Sequence, residues 1–348
     1  MSNELRAAFR MALAVALTLS FYFLLQIPNS LRALLAASLL CTSSSFQKNL
    51  MRQRFILMWL SSAMGMTVDI CFRDAFWFYI PAFMLLIYTT MHLASRSRDT
   101  VTMVLLVYGY TGSIPNSDFF AADPVIKGFQ YSVGTSLGAV MVIIAFLFFP
   151  IRKDEVLHLP APVYFGRRAL FFLSVTSGVI ICVSAAVIPK YDVFVMMLGL
   201  VWAISLLSQK FSALRLQIIG LVIGCFVSLG VISMFSSSSD NVVFYVALLA
   251  TIAGLAAYLG GSYPAIKPGQ GFFIVGALMP CIFLFKPIPN LTILFPLFFA
   301  MGLGIFISSL VFLVFRLLEE TEKWVMTWGI SSNGQDACSC SVFPRNNL

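Results

Sequence analysis

Long apolar runs, separated by short breaks of polar, Gly and Pro residues, recur from one end of the chain to the other. Residues 11–27, MALAVALTLSFYFLLQI, are apolar at nearly every position. A membrane strand would alternate apolar and polar side chains over about 10 residues, so the runs predict helices. A hydrocarbon core about 30 Å thick takes roughly 20 helical residues to cross. The breaks divide the chain into about 12 candidates: 8–27, 31–46, 55–72, 76–93, 100–114, 126–149, 168–188, 192–208, 215–234, 242–259, 270–285 and 292–316. The first run follows Arg6 and Arg10 and imitates a signal peptide, but no small-residue cleavage site precedes Pro28, so it reads as an uncleaved first span.

Composition turns this pattern into a class. The 348 residues are 60% hydrophobic and 10% charged, with a mean hydropathy of +0.94, far from the balance of a water-soluble domain. The expected fold is an all-α, multi-pass membrane protein whose main partner is the lipid bilayer. Charge then orients it. When the 22 Lys and Arg residues are sorted onto alternate sides, only Arg32, Arg73, Lys127, Lys190 and Lys286 fall opposite the N-terminus. The positive-inside rule therefore predicts both termini in the cytoplasm. Basic inner loops facing anionic lipid account for the net charge of +8, and nucleic acid need not be invoked. The 7 cysteines are scattered, with no metal-ligand cluster, and read as small hydrophobes; no metal or cofactor is expected.

The chain also repeats itself. SSFQKNLMRQR (44–54) and SLLSQKFSALR (205–215) each follow an apolar run, carry Gln-Lys, and lead through an Arg into the next run. Ile27-Pro28 echoes Ile188-Pro189, Arg54 matches Arg215, Phe78-Tyr79 matches Phe244-Tyr245, Ile114-Pro115-Asn116 matches Ile288-Pro289-Asn290, and Gly138 matches Gly302. Two membrane repeats of six helices follow, 1–150 and 168–318, with a cytoplasmic linker at 151–167 and a cytoplasmic tail at 319–348. Six is even, so both units enter the membrane from the same side. They are expected to be parallel repeats related by a pseudo-twofold axis along the membrane normal. The echoed segments, with Gln47, Lys48, Arg54, Gln209, Lys210 and Arg215, hold topology and are placed to draw anions toward an inner vestibule.

The Arg-bearing start RAAFRMALAVALTL, the loop QIPNS and the basic entry to a Gly-containing third helix, RQRFILMWLSSAMG, resemble the fusaric acid resistance and aromatic acid exporter superfamily. The second half repeats that order as GRRALFFLSVTSG, IPKYD and LRLQIIGLVIG. The resemblance covers both halves as a pattern and carries no sharp catalytic signature. It implies an exporter in a bacterial inner membrane, moving aromatic or other small carboxylate anions and toxic compounds. It also implies a periplasmic membrane-fusion adaptor as partner, and a pore between two six-helix units as in the similar plant malate channels. The chain departs from longer members in lacking a large cytoplasmic domain between its halves. An anion channel and a non-transporting scaffold subunit of an envelope complex stay open as alternatives, as does a homo-oligomer.

Candidate pathway residues follow from two signals. Short, Gly/Pro-interrupted segments at equivalent positions of two repeats point to a substrate site, and the fifth helix of each half fits. Tyr108, Tyr110, Thr111 and Gly112 would then meet Gly276, Met279 and Pro280 near the axis, unless the kinks and small residues serve packing alone. Ionisable groups near apolar runs are the second signal. Arg32, Asp192 and Lys286 are candidates for the substrate pathway: Arg32 either coordinates a carboxylate substrate or faces Asp192 across the pseudo-twofold, Lys286 ends the eleventh span, and interfacial snorkelling is the other reading of each. Asp69 is the carboxylate most clearly inside an apolar run and the candidate for proton coupling. A nucleophile with its base, paired catalytic carboxylates and a P-loop are all missing from the sequence, so it reads as neither an enzyme nor an ATPase.

Overall fold

The computed structural model describes residues 2–25, 48–72, 75–96, 124–150, 211–235 and 242–282, and singly Ala33, Ala36, Ala37, Leu40, Cys41, Phe171, Ser174, Val175, Phe306 and Leu313. Its helices are α1 (Asn3–Leu25), α2 (Lys48–Phe72), α3 (Phe76–Arg96), α4 (Pro124–Phe148), α5 (Phe211–Phe235), α6 (Val242–Ser262) and α7 (Lys267–Ile282). No strand occurs among the described residues. Among the described residues, four stretches are long and apolar enough to cross a membrane: Asn3–Leu24, Arg52–Phe72, Arg215–Met234 and Val242–Ser262. The predicted spans 31–46, 100–114, 168–188, 192–208 and 292–316 lie wholly or largely outside the described residues, as do the linker 151–167 and the tail 319–348.

Helices α1, α2, α4, α5 and α7 begin earlier than hydropathy alone places them, while α3 and α6 begin at the predicted residues 76 and 242. Lys48, Arg52 and Arg54 belong to the first turns of α2 instead of a basic loop, and Lys267 opens α7. Segmentation by hydropathy stops at a charge, whereas Arg and Lys are good helix formers and continue a helix past the end of an apolar run. At the start of α1, the Ser2 hydroxyl accepts a hydrogen bond from the Leu5 amide at 3.3 Å, an N-cap. Pro81 sits inside α3, where it removes one backbone donor.

Residue pairs across the interfaces give the helix directions. The Arg6 guanidinium donates to the Pro150 carbonyl at 3.5 Å, Phe9 stacks on Phe149, and Arg10 lies over Phe146, so α1 and α4 are antiparallel. Gly254 of α6 packs on Ala8 and Ala12, and Gly261 packs on Glu4, which makes α6 antiparallel to α1 as well. The turn Tyr263–Ile266 folds α7 back along α6. On α5, Leu216 and Gly220 meet Gly269, while Leu221 and Gly224 meet Phe273 and Gly276, so α5 and α7 are parallel. Thus α1, α5 and α7 point one way, and α4 and α6 the other. A buried apolar cluster of Ala14, Ala37, Leu40, Met58, Ala139, Val142, Ala145 and Phe146 joins α1, α2, α4 and the helical residues before Cys41.

Burial follows the same phase in helices that the sequence echo pairs. Exposed Phe78 and buried Tyr79 match exposed Phe244 and buried Tyr245, and Phe83 and Ile87 match buried Leu249 and Ala253. On α2 and α5, Arg52 and Arg215 are both exposed, followed by buried Arg54 and Gln217, Met58 and Leu221, Ser61 and Gly224, Gly65 and Ser228, and Asp69 and Ile232. With Arg52 set beside Arg215 the buried positions of the two helices coincide and Gln217 falls beside Arg54; with Arg54 set beside Arg215, as in the sequence echo, they do not.

Candidate functional site

Among the described residues, one face of α2 gathers buried polar side chains. Arg54, Met58, Ser61, Ser62, Gly65 and Asp69 recur at three- and four-residue intervals, and all are buried. Arg54 is 3% exposed and Asp69 1%. At about 1.5 Å per residue, the two charges stand roughly 22 Å apart along the helix. A charge at the centre of a bilayer costs about 2.5–3.5 kcal/mol on insertion scales. Asp69 also sits in the last turn of α2, where the helix dipole disfavours a carboxylate. Neither position helps α2 to form, so its stability does not account for these side chains.

α4 packs on α2 and brings its own hydroxyls, with Ser132 and Thr135 buried. The Trp59 indole N–H donates to Ser136 Oγ at 2.8 Å, and Ser136 Oγ donates to the Ser132 carbonyl at 2.6 Å. Thr135 Oγ1 donates to the same carbonyl at 3.1 Å, and Ser61 Oγ to the Met58 carbonyl at 2.8 Å. Ser61, Thr135 and Ser136 thus each donate to a carbonyl of their own helix.

Arg10 of α1, read from the sequence only as inner-side charge, is 4% exposed. Its guanidinium carbon stands 4.9 Å from the centroid of the Phe146 ring, a cation–π arrangement. The Cys41 thiol approaches the Arg10 carbonyl at 3.9 Å.

Of the residues singled out from sequence, Arg54 and Asp69 are brought to this face. Arg215 is exposed on α5. Lys48 opens α2, and Met279 and Pro280 lie near the end of α7, which stays helical through Pro280 to Ile282. Gly276 is buried against the backbone of α5: a Cβ there would stand 2.6 Å from the Leu221 carbonyl oxygen and 3.1 Å from the Cys225 nitrogen. That glycine serves close packing on this side. Arg32, Gln47, Tyr108, Tyr110, Thr111, Gly112, Asp192, Gln209, Lys210 and Lys286 lie outside the described residues. Sequence reading passed over Arg10, Ser61, Ser62, Ser132 and Thr135. The signal for the first two serines was present, as polar residues at helical spacing between Arg54 and Asp69.

No group of three or more His, Cys, Asp or Glu side chains placed to hold a metal ion occurs among the described residues. Compared with protein-family models, with curated proteins and with solved structures, the chain matches none.

Proposed function

We propose that the protein is a transporter that exports small organic anions, aromatic or other carboxylates, across a bacterial inner membrane. The observation that carries this reading is the set of charged side chains, Arg10, Arg54 and Asp69, buried within apolar helices. Such groups are costly at membrane depth and mark ion and substrate pathways. The resemblance of both halves to aromatic acid exporters agrees with it, and with a periplasmic adaptor as partner. The chain is read as twelve spans in two parallel six-helix repeats; the matched burial phases of α2 with α5 and of α3 with α6 agree with a repeat, and the uneven Lys and Arg distribution supports cytoplasmic termini. In this reading Asp69 is the proton-coupling carboxylate.

A host lacking the gene tests the reading through its tolerance of aromatic acids and its export of carboxylate metabolites. Loss of tolerance to acids but not to neutral compounds, restored by the native gene and not by Asp69→Asn, is the expected result. Unchanged tolerance and export would sink the transport reading. Full rescue by Asp69→Asn, with unaltered pH dependence, would remove proton coupling alone.

A further inference from the structure

We propose that each chain carries a single water-accessible route for the transported anion, along the buried face of α2 beside α4, and that the matching face of α5 is a dry seam between helices. The inference rests on the anion-export reading and says where in the molecule the anion passes.

The second half supplies a comparison within the same chain. With Arg52 set beside Arg215, the buried positions pair Arg54 with Gln217, Met58 with Leu221, Ser61 with Gly224, Gly65 with Ser228 and Asp69 with Ile232. α5 therefore fills the same burial pattern without a charge. Burial of this face in a membrane helix does not demand Arg54 or Asp69, and both are costly there.

What covers each face differs as well. On α5 the cover is backbone. A Cβ at Gly224 would collide with the Phe273 carbonyl of α7 and stand 2.9 Å from the Ala277 nitrogen, and one at Gly276 would stand 2.6 Å from the Leu221 carbonyl oxygen. Gly220 and Gly269 meet in the same way. Even a methyl group finds no space in this seam, so neither water nor a carboxylate passes between α5 and α7. Beside α2, the neighbouring α4 brings side chains, with Ser132 and Thr135 buried and the Trp59 indole bonded to Ser136 at 2.8 Å. Hydroxyls hydrogen-bond water and carboxylates, which glycine side chains cannot. Side chains also change rotamer far faster than closely packed helices shift, so a contact made through them opens locally while a backbone seam stays shut.

Ser61, Ser62 and Ser228 are each 0% exposed, so static burial protects all three alike. Labelling rates separate them. In a background free of native cysteines, Ser61→Cys, Ser62→Cys and Ser228→Cys are made in the full-length protein, placed in liposomes and treated on both sides with sulfonatoethyl methanethiosulfonate, an anionic thiol reagent. Mass spectrometry follows the adduct. The expected result is labelling of Ser61→Cys and Ser62→Cys at least about tenfold faster than of Ser228→Cys, because the reagent attacks the thiolate, which forms where water reaches. Benzoate slows the two α2 reactions, and benzyl alcohol does not. Should Ser61→Cys fail to fold, Ser62→Cys carries the comparison by itself. Equal rates at all positions, or resistance of both α2 variants, overturns the single route; benzoate efflux by the native protein in the same liposomes would then leave the transport reading standing. Fast α2 labelling that no carboxylate slows, with no carboxylate efflux by the native protein, overturns the transport reading and the assignment of the route to an anion.

Discussion

Gly276 of α7 packs against the backbone of α5 at Leu221 and Cys225. Its partner Gly224 belongs to the run Gly220-Leu221-Val222-Ile223-Gly224, a spacing that lets membrane helices approach closely. A Cβ added at Gly224 would collide with the Phe273 carbonyl and stand 2.9 Å from the Ala277 nitrogen. Gly224→Leu is therefore expected to destabilise the α5–α7 pair by about 1–3 kcal/mol, the usual range for overpacking. Gly230 on the same helix has nothing within 4 Å of such a Cβ, so Gly230→Ala is expected to be tolerated. Denaturation of the purified variants in mixed detergent micelles measures both, and equal losses would contradict the packing account.

Apolar runs were legible at the scale of helices because crossing a hydrocarbon core demands them. Helix ends were less legible, since a charge ends an apolar run without ending a helix. Burial was harder to read: residue identity sets Arg54 beside Arg215, yet Arg54 is buried and Arg215 exposed, because burial depends on angular position around a helix. The hydrogen bond from Trp59 to Ser136 is a contact between α2 and α4 that spacing alone does not reveal. Trp59→Phe keeps the apolar ring and removes the donor. Interhelical hydrogen bonds of this kind average about 0.6 kcal/mol and reach about 1.7 kcal/mol. A loss in that range in the same denaturation assay is expected, and no loss would show that the bond contributes nothing to the α2–α4 pair.

For the whole molecule, the contact between α1 and α6 joins a segment near the N-terminus to one far along the chain. A Cβ placed at Gly261 stands 3.3 Å from the Glu4 Cβ, near the separation that a disulfide spans. In a background free of native cysteines, Glu4→Cys with Gly261→Cys is expected to form a cross-link on mild oxidation. If the chain is then cut within residues 151–167, the two fragments should migrate together until reduced; separate migration before reduction would contradict the α1–α6 contact. Polar content was the least legible property at this scale, because most of the buried hydroxyls are ordinary serines and threonines until a neighbouring helix covers them. Whether the buried charges of α1 and α2 serve the passage of organic anions, as proposed above, is tested by the efflux of labelled benzoate from liposomes containing the purified protein. Efflux that depends on the protein, saturates with benzoate concentration and falls in Asp69→Asn is expected; efflux no faster than from protein-free liposomes, across a panel of carboxylates, would overturn the proposed transport.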